Sequence, residues 1–429
     1  MQRKIIDKLI KWKNQTENKL PLLIYGARQV GKTYTLTEFA SQNYSNMIYV
    51  NFEVNPAMKS IFDGEISPER IISFLETYFS QQIQPDKTFI FFDEIQSCER
   101  ALTSLKYFAE SKKKYHIAAA GSLLGVAVNR EKFSFPVGKV QIETLYPLDF
   151  EEFLWAVDKK KLAEEIKTFF KDNQPIPELF HQTAINLFNE YLITGGMPGV
   201  VAKYAADRDI QKIIEIKTNI LNSYIADMAK YASPAESVKI RTAFNSIPLQ
   251  LAKENKKFQY KLIKKGASAS HFGAAIDWLC ASGIVKKCHR IEQGYIPLSA
   301  YMDLSAFKLY MSDVGLLVQK SGLYPQSVLT LQNNFKGSLM ENFVAQALST
   351  NGYELFYWES KSIAEVDFVV YIDGQNIPVE VKSSDNVKSR SLNVYVNKYK
   401  PAYSIRVSSK NFGYQNNIKS VPFYAAFAV

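Results

Sequence analysis

Apolar and polar residues alternate along this chain in two rhythms, and the rhythms change by region. Near the start, MQRKIIDKLIKWKNQ places apolar residues three to four apart, which predicts an amphipathic first helix. Short apolar runs then follow at PLLIY (21–25), MIYVNFE (47–53), TFIFFDEIQ (88–96) and YHIAAAGS (115–122). Each is strand-length, and helix-like stretches such as YTLTEFASQN lie between them. Strands alternating with helices predict a parallel sheet with its ligand at the carboxyl ends of the strands. From 151 to 233 the spacing is helical throughout, broken at Gly195-Gly196 and Pro198.

Past 234 the pattern predicts three helices, VKIRTAFNSIPLQLAKEN, QYKLIKKG and SHFGAAIDWLCASG, then strand-like IVKKCHRI and GYIPLS. Three helices and a β-hairpin suggest a winged helix-turn-helix. Its recognition helix would start near Ser268, with Ser270 and His271 at its N-terminus, and its wing would carry Lys286, Lys287 and Arg290. From about 335 the order is helix (LMENFVAQAL), strand (YELFYWES), strand (EVDFVVYI), an Asp373-Gly374 turn, strand (IPVEVKSS), then a helix and strand in NVYVNKYKPAYSIRVSS. The expected fold is therefore multidomain α/β. It comprises a parallel-sheet domain at 1–150, a helical connector at 151–233, a winged-helix-like basic domain at 234–330 and an α/β domain at 331–429.

At 429 residues, several cores can be buried. The net charge of +10 favours a polyanionic partner. Most of it falls in residues 236–320, which hold 13 Lys and Arg against 6 Asp and Glu. Cys98, Cys280 and Cys288 are widely spaced and the four histidines scattered, so neither a zinc site nor a disulfide framework is expected, and a reducing cytoplasm fits. No apolar run reaches the ~18–20 residues of a membrane span, so no membrane association is expected.

Two motifs in the first region carry chemistry. GARQVGKT, from Gly26 to Thr33, matches GxxxxGK[ST] between a strand and a helix. Gly26 and Gly31 allow the tight turn, and the backbone amides of Ala27, Arg28, Gln29 and Val30, with the helix start at Lys32, Thr33 and Tyr34, face the phosphates of ATP. Lys32 adds a cation to the β/γ-phosphates, and the Thr33 hydroxyl is a ligand for Mg²⁺. In TFIFFDEIQ, Asp93 would hold the Mg²⁺ and Glu94 would polarise the attacking water. Ser122, at the end of a later strand, occupies the place of a γ-phosphate sensor.

With these motifs on the page, the chain resembles the AAA+ ATPases, in the bacterial and archaeal branch whose ATPase module precedes a domain of unknown function. The matching stretches are GARQVGKT, FIFFDEIQ, AAAGSLLG, VGKVQIETLYPLDFEEFL (137–154), GGMPGVV (195–201) and KLYMSDVGLL (308–317). The resemblance implies ATP hydrolysis, a helical lid and a capacity to oligomerise. The family has Gly-Arg where this chain has Gly138-Lys139, and lysine lacks arginine's planar fork. Arg130 is the candidate substitute, and Arg28 reads as a packing or phosphate-periphery residue.

The far end carries a second constellation. Glu380 and Lys382 are two apart on one strand and so share a face. The Asp373-Gly374 turn brings Asp367 beside them, and Glu341 lies on the preceding helix. Carboxylates brought together repel unless a cation or proton neutralises them, and all-oxygen ligands favour Mg²⁺ or Mn²⁺. Helix-Glu, strand-Asp and Glu-x-Lys resemble the PD-(D/E)xK nuclease fold, with Val366 where that family has Pro. The resemblance implies Glu341, Asp367 and Glu380 as metal ligands and Lys382 as a catalytic cation, acting on nucleic acid, DNA before RNA. Two readings compete with an ATP-controlled nuclease: a nucleotide-dependent switch with an inactive C-terminal fold, and a transcription regulator.

Overall fold

The computed structural model describes residues 1–122, 136–254, 256–330, 334–360, 364–383 and 390–429. The chain forms two compact units. Residues 2–146 with 281–283 make one, and 147–280 with 284–429, and Met1, the other.

The first unit is built on a parallel sheet of five strands: β1 (Leu22–Tyr25), β2 (Asn46–Asn51), β3 (Thr88–Asp93), β4 (His116–Gly121) and β5 (Gln141–Thr144). Their order is β2-β3-β4-β1-β5. Every residue of β1, β3 and β4 is buried, which is why each reads as an unbroken apolar run. Helices α1 (Ile5–Lys13), α2 (Lys32–Asn43), α3 (Pro68–Phe79) and α4 (Glu99–Glu110) complete the unit. Phe92 packs edge-on against Phe62 and tilted against Phe52, and Phe89 is edge-on to Trp12 and Phe39. Each such ring contributes roughly 1.5–3 kcal/mol of burial, so β3 is firmly held where its last residue, Asp93, must be placed. The sequence pattern misses β5, because this edge strand keeps its residues partly or fully exposed and lacks an apolar run.

The second unit begins with helices α5 (Phe150–Ala156), α6 (Lys160–Asp172), α7 (Glu178–Thr194), α8 (Pro198–Asp207), α9 (Ile210–Tyr231) and α10 (Pro234–Leu251). After α11 (Ala269–Ala281) come β6 (Val285–Ile291) and β7 (Met302–Met311). Then follow α12 (Val314–Lys320), α13 (Pro325–Thr330), α14 (Asn334–Thr350), β8 (Phe356–Ser360), β9 (Ala364–Ile372) and β10 (Gln375–Lys382). The chain closes with α15 (Arg390–Tyr399), β11 (Ser404–Ser408), β12 (Gly413–Gln415) and β13 (Ile418–Pro422). The eight strands form one mixed sheet in the order β12-β13-β11-β10-β9-β8-β6-β7.

This sheet corrects the expected wing. β6 pairs antiparallel with β7, and it also pairs in parallel with β8, with His289 opposite Phe356. The hairpin is thus the edge of the C-terminal sheet. GYIPLS forms no strand; it leads through a cis Ile296–Pro297 bond into a 3₁₀ turn at Leu298–Tyr301. The expected middle helix, QYKLIKKG, is reduced to a 3₁₀ turn at Tyr260–Leu262 with no buried residue. Its lysine-rich stretch offers no apolar stripe to pack, and Gly266 ends it with φ 79°.

The motifs that carry the family resemblance interlock inside the second unit. Asp313 caps α12 by accepting from Leu316 N at 2.7 Å and also accepts from Gly196 N at 2.6 Å. A Cβ on Gly195 would lie 2.4 Å from Asp313 Oδ1, and one on Gly315 would lie 2.5 Å from Gly195 N, so both positions require glycine. Gly196 O accepts from Leu148 N at 2.7 Å, and Leu148 O accepts from the Tyr191 hydroxyl at 2.6 Å. Gln346 on α14 donates to that hydroxyl at 2.7 Å and accepts from Val314 N at 2.9 Å. GGMPG, SDVGLL and the Leu148 end of LYPLDF are therefore a packing knot in this unit.

Candidate functional sites

The loop between β1 and α2 is shaped by close approach. A Cβ on Gly26 would lie 2.2 Å from Leu145 O. Gln29 and Gly31 take φ 65° and 90°, turning the chain so that α2 starts at Lys32 with Gly31 as its N-cap. Lys32 is buried and its ammonium donates to Gly26 O and Ala27 O, both at 3.0 Å, which lays the cation along the loop. Arg28 pairs with Glu53 at 3.7 Å. Tyr34 is exposed on the first turn of α2.

β3 lies one strand from β4 and two from β1, so Asp93 ends close to the loop. Asp93 Oδ2 accepts from Thr33 Oγ1 at 2.8 Å, Tyr49 hydroxyl at 2.9 Å and Asn51 Nδ2 at 3.3 Å. Its Oδ1 accepts from Glu94 N at 3.0 Å. The hydroxyl–carboxylate pair of Thr33 and Asp93, at a helix N-terminus, is an all-oxygen donor set that fits Mg²⁺. Glu94 sits at φ 50° and its Oε2 accepts from Gln96 Nε2 at 2.5 Å. Burial raises the Glu94 carboxyl above its ordinary range, with Asp93 adding to the rise, against the Gln96 hydrogen bond and Lys32. Gln96 continues to the tip of β4, where a Cβ on Gly121 would lie 2.6 Å from its Oε1. Ser122 Oγ, next to that glycine, is buried with no hydrogen-bond partner among the described residues.

The structure thus gathers the loop, Lys32, Thr33, Asp93 and Glu94. It adds Tyr49, Asn51 and Gln96, which were not assigned roles from sequence. Polar residues ending a strand beside β3, and the amide two residues past Glu94, were the available signals. Lys139 instead pairs with Glu110 at 3.0 Å on the surface, and Arg130 lies outside the described residues.

Among comparisons with known families, residues 18–154 match one described as AAA domain. The first unit is an AAA-type ATPase domain. Residues 185–327 and 336–425 match two families described as domains of unknown function, DUF8612 and DUF4143. No curated protein matches the chain. Among solved structures it is similar to a Walker-type ATPase of Pyrococcus abyssi, at 15% identity and TM-score 0.45, covering 74% of this chain and 95% of that one. The Aeropyrum pernix ORC1 protein in complex with DNA is similar at 13% and 0.26, covering 76% and 93%. The Thermotoga maritima RuvB Holliday junction branch migration motor is similar at 15% and 0.29, covering 66% and 89%.

In the second unit, Asp373 and Gly374 take φ 47° and 84°, the positive pair that a two-residue hairpin turn needs. The antiparallel register runs from Gln375–Ile372 to Val379–Phe368, next to Glu380 and Asp367. Asp367 Oδ2 accepts from Val381 N at 2.8 Å, and Lys382 Nζ donates to Glu380 Oε1 at 2.5 Å. Burial, with Glu341 and Glu380 nearby, raises the Asp367 carboxyl well above its usual range. Asp367, Glu380, Lys382 and Glu341 therefore do converge.

The convergence includes two lysines that the sequence reading did not place there. Glu341 Oε1 is bonded by Lys256 Nζ, and its Oε2 accepts from the Tyr310 hydroxyl at 3.2 Å and lies 3.9 Å from Lys308 Nζ. Lys308, 1% exposed, also pairs with Glu365 at 2.5 Å. Among the described residues, no three acidic, histidine or cysteine side chains are placed to enclose a metal ion. This corrects the expectation of Mg²⁺ or Mn²⁺ on Glu341, Asp367 and Glu380: with ammonium groups on Glu341, the arrangement does not fit a bound metal. No helix among the described residues is long and apolar enough to cross a membrane.

Proposed function

We propose that this protein couples ATP hydrolysis in its AAA domain to the binding of nucleic acid by its C-terminal half. In the AAA domain, Gly26 to Thr33 would cradle the phosphates, Lys32 would reach the β- and γ-phosphates, and Thr33 and Asp93 would hold Mg²⁺. Bound Mg²⁺ supplies charge neutralisation to the phosphates. Glu94, aligned by Gln96, would orient and polarise water, with Ser122 at the γ-phosphate.

The nucleic-acid reading rests on one observation about charge. Of the basic residues in 236–320, the wing candidates are spent internally: Lys287 pairs with Asp277 at 2.7 Å, and Arg290 with Asp303 at 2.5 Å and Glu359 at 3.4 Å. Lys239, Arg241, Lys253, Lys261, Lys264 and Lys265 are exposed, and the last four lie in the segment between α10 and α11. A cluster of exposed cations along one segment is the footprint of phosphate binding.

Fluorescence anisotropy with labelled duplex, single-stranded and RNA oligonucleotides, with and without ATP, tests this reading. Changing Lys253, Lys261, Lys264 and Lys265 to Glu should weaken binding and lower the log–log salt slope by roughly 0.7–0.9 per lost phosphate contact. Equal affinity in the quadruple variant, or no binding to any oligonucleotide, removes the reading and favours a nucleotide-dependent switch.

A further inference from the structure

A cavity of about 460 Å³ lies at the end of the eight-stranded sheet where β8 begins and β9 turns into β10. One wall is the segment after β6, with Ile296, Pro297 and Leu298, and another is the segment entering β8, with Tyr353 and Glu354. Tyr371 of β9 and Phe356 of β8 lie between these segments in the lining. Each part is anchored. Asn376 Nδ2 donates to Gly294 O at 3.1 Å, and a Cβ on Gly294 would lie 2.5 Å from the Tyr395 hydroxyl, so the first segment is seated against β10 and α15. Tyr353 N donates to Leu348 O at 3.1 Å, which ties the second segment to the end of α14. Tyr371 pairs with Asn376 across the β9–β10 ladder, and Phe356 with Val369 across β8–β9. The cavity is thus preformed, and its volume falls within the ~300–1,000 Å³ of ligand sites.

Its chemistry is aromatic and acidic. Tyr371 and Ile296 are each 54% exposed, large apolar surfaces left open to solvent. Glu354 is exposed and has no ion pair among the described residues. Asp373, on the turn after β9, lies near Tyr353 and Tyr403 and adds to the upward shift that burial gives both phenols. Among the described residues, no lysine, arginine or histidine lines the cavity. On a chain of net charge +10, such a lining stands apart, and it repels phosphate rather than attracting it. We propose that this cavity is a docking site for a partner protein, receiving an arginine from an extended segment, with the guanidinium at Glu354 and over the Tyr353 and Tyr371 rings and the flanking residues on Ile296, Pro297 and Leu298. Arginine suits it better than lysine, because a planar fork bonds a carboxylate and stacks on phenol rings at once. A peptide suits it better than a free cation, because the volume exceeds one side chain and the wall from Ile296 to Leu298 is apolar. The inference goes beyond the nucleic-acid reading and does not rest on it, since none of the exposed lysines between α10 and α11 lines the cavity.

The test is fluorescence anisotropy of a labelled pentapeptide, ALRLA, with the full chain, beside forms carrying lysine or citrulline in place of the arginine. Citrulline keeps the shape of the side chain and removes its charge. The arginine form should bind at least about tenfold tighter than the citrulline form, with the lysine form between them. Glu354→Gln should weaken the arginine form at least about fivefold, and Tyr371→Ala at least about threefold. Both side chains are exposed, so both variants should fold, which thermal melting checks. Equal affinity for the arginine and citrulline forms, or no saturable binding below about 1 mM, overturns the proposal. So does arginine-form binding left unchanged by either variant in a folded chain. An oligonucleotide whose binding falls in Tyr371→Ala would give the cavity to nucleic-acid bases and overturn it as well.

Discussion

Acid should weaken the AAA domain through a single histidine. His116 opens β4, is buried, and is held from both ring nitrogens: Lys19 Nζ lies 2.5 Å from Nε2 and the Tyr44 hydroxyl 2.8 Å from Nδ1. An ammonium can only donate, so Nε2 accepts and the neutral ring carries its proton on Nδ1. Burial, then the positive charge of Lys19, pushes His116 down from 6.5 to about 4, with Asp86 opposing and Lys13 reinforcing. A base whose folded pKa lies below its unfolded value binds more protons when unfolded. Stability from this group is therefore full above pH 6.5 and is lost as pH falls towards 4. At about 1.4 kcal/mol per pKa unit, the ceiling is about 3 kcal/mol, and about 2 kcal/mol is gone by pH 5. Urea unfolding at pH 8 and pH 5, in parallel on the wild type and His116→Gln, isolates the term from the other three histidines. The wild type should lose about 2 kcal/mol more than the variant over that range. A difference below about 0.5 kcal/mol, with two-state transitions in both proteins, would refute the tautomer and the burial argument together.

Other consequences are as direct. Glu94→Gln should lower the kcat of ATP hydrolysis by about 10²–10⁴ while leaving nucleotide affinity within about threefold, as measured by steady-state turnover and equilibrium dialysis. Gly26→Ala drives a methyl to 2.2 Å from Leu145 O, so ATP affinity should fall at least about tenfold and stability by roughly 1–3 kcal/mol, read by nucleotide titration and thermal melting. Asp313→Ala strips charge-assisted acceptors from Gly196 N and Leu316 N and should cost the second unit about 3 kcal/mol or more in chemical denaturation. Loss of ATP binding at 25 °C in a folded Asp313→Ala chain would contradict its assignment to packing.

What could be read from the sequence was local. GARQVGKT and the apolar run ending at Asp93 announce themselves because loop chemistry and a buried central strand each leave a short, dense signature. The Asp373-Gly374 turn was legible for the same reason, and with it the pairing of the two strands that it joins. What failed to read was remote or neutral in pattern. The pairing of β6 with β8 joins residues far apart in the chain, so a hairpin that looked self-sufficient gave no sign of its third neighbour. Lys256 reaches Glu341 across 85 residues, and Lys308 reaches Glu365 across 57. A lysine on a strand reads as a solvated face until the fold buries it. The GGMPG and SDVGLL stretches were visible as motifs, but only the close approach of Gly195, Gly315 and Asp313 shows that their glycines serve packing.

The two acid centres differ in what surrounds them, and that difference sets how each can be used. Asp93 is held by a hydroxyl from Thr33, a phenol from Tyr49, an amide from Asn51 and the backbone of Glu94. These donors are neutral. No ammonium or guanidinium is among these donors, and the Thr33 hydroxyl has lone pairs that an arriving cation could use. Glu341 is held by Lys256 and approached by Lys308, so its charge is already answered by groups covalently tied to the chain. An incoming cation there gains only the difference between itself and a docked ammonium, and must first meet the cost of displacing it. The AAA site is thus arranged to respond to ligand concentration directly.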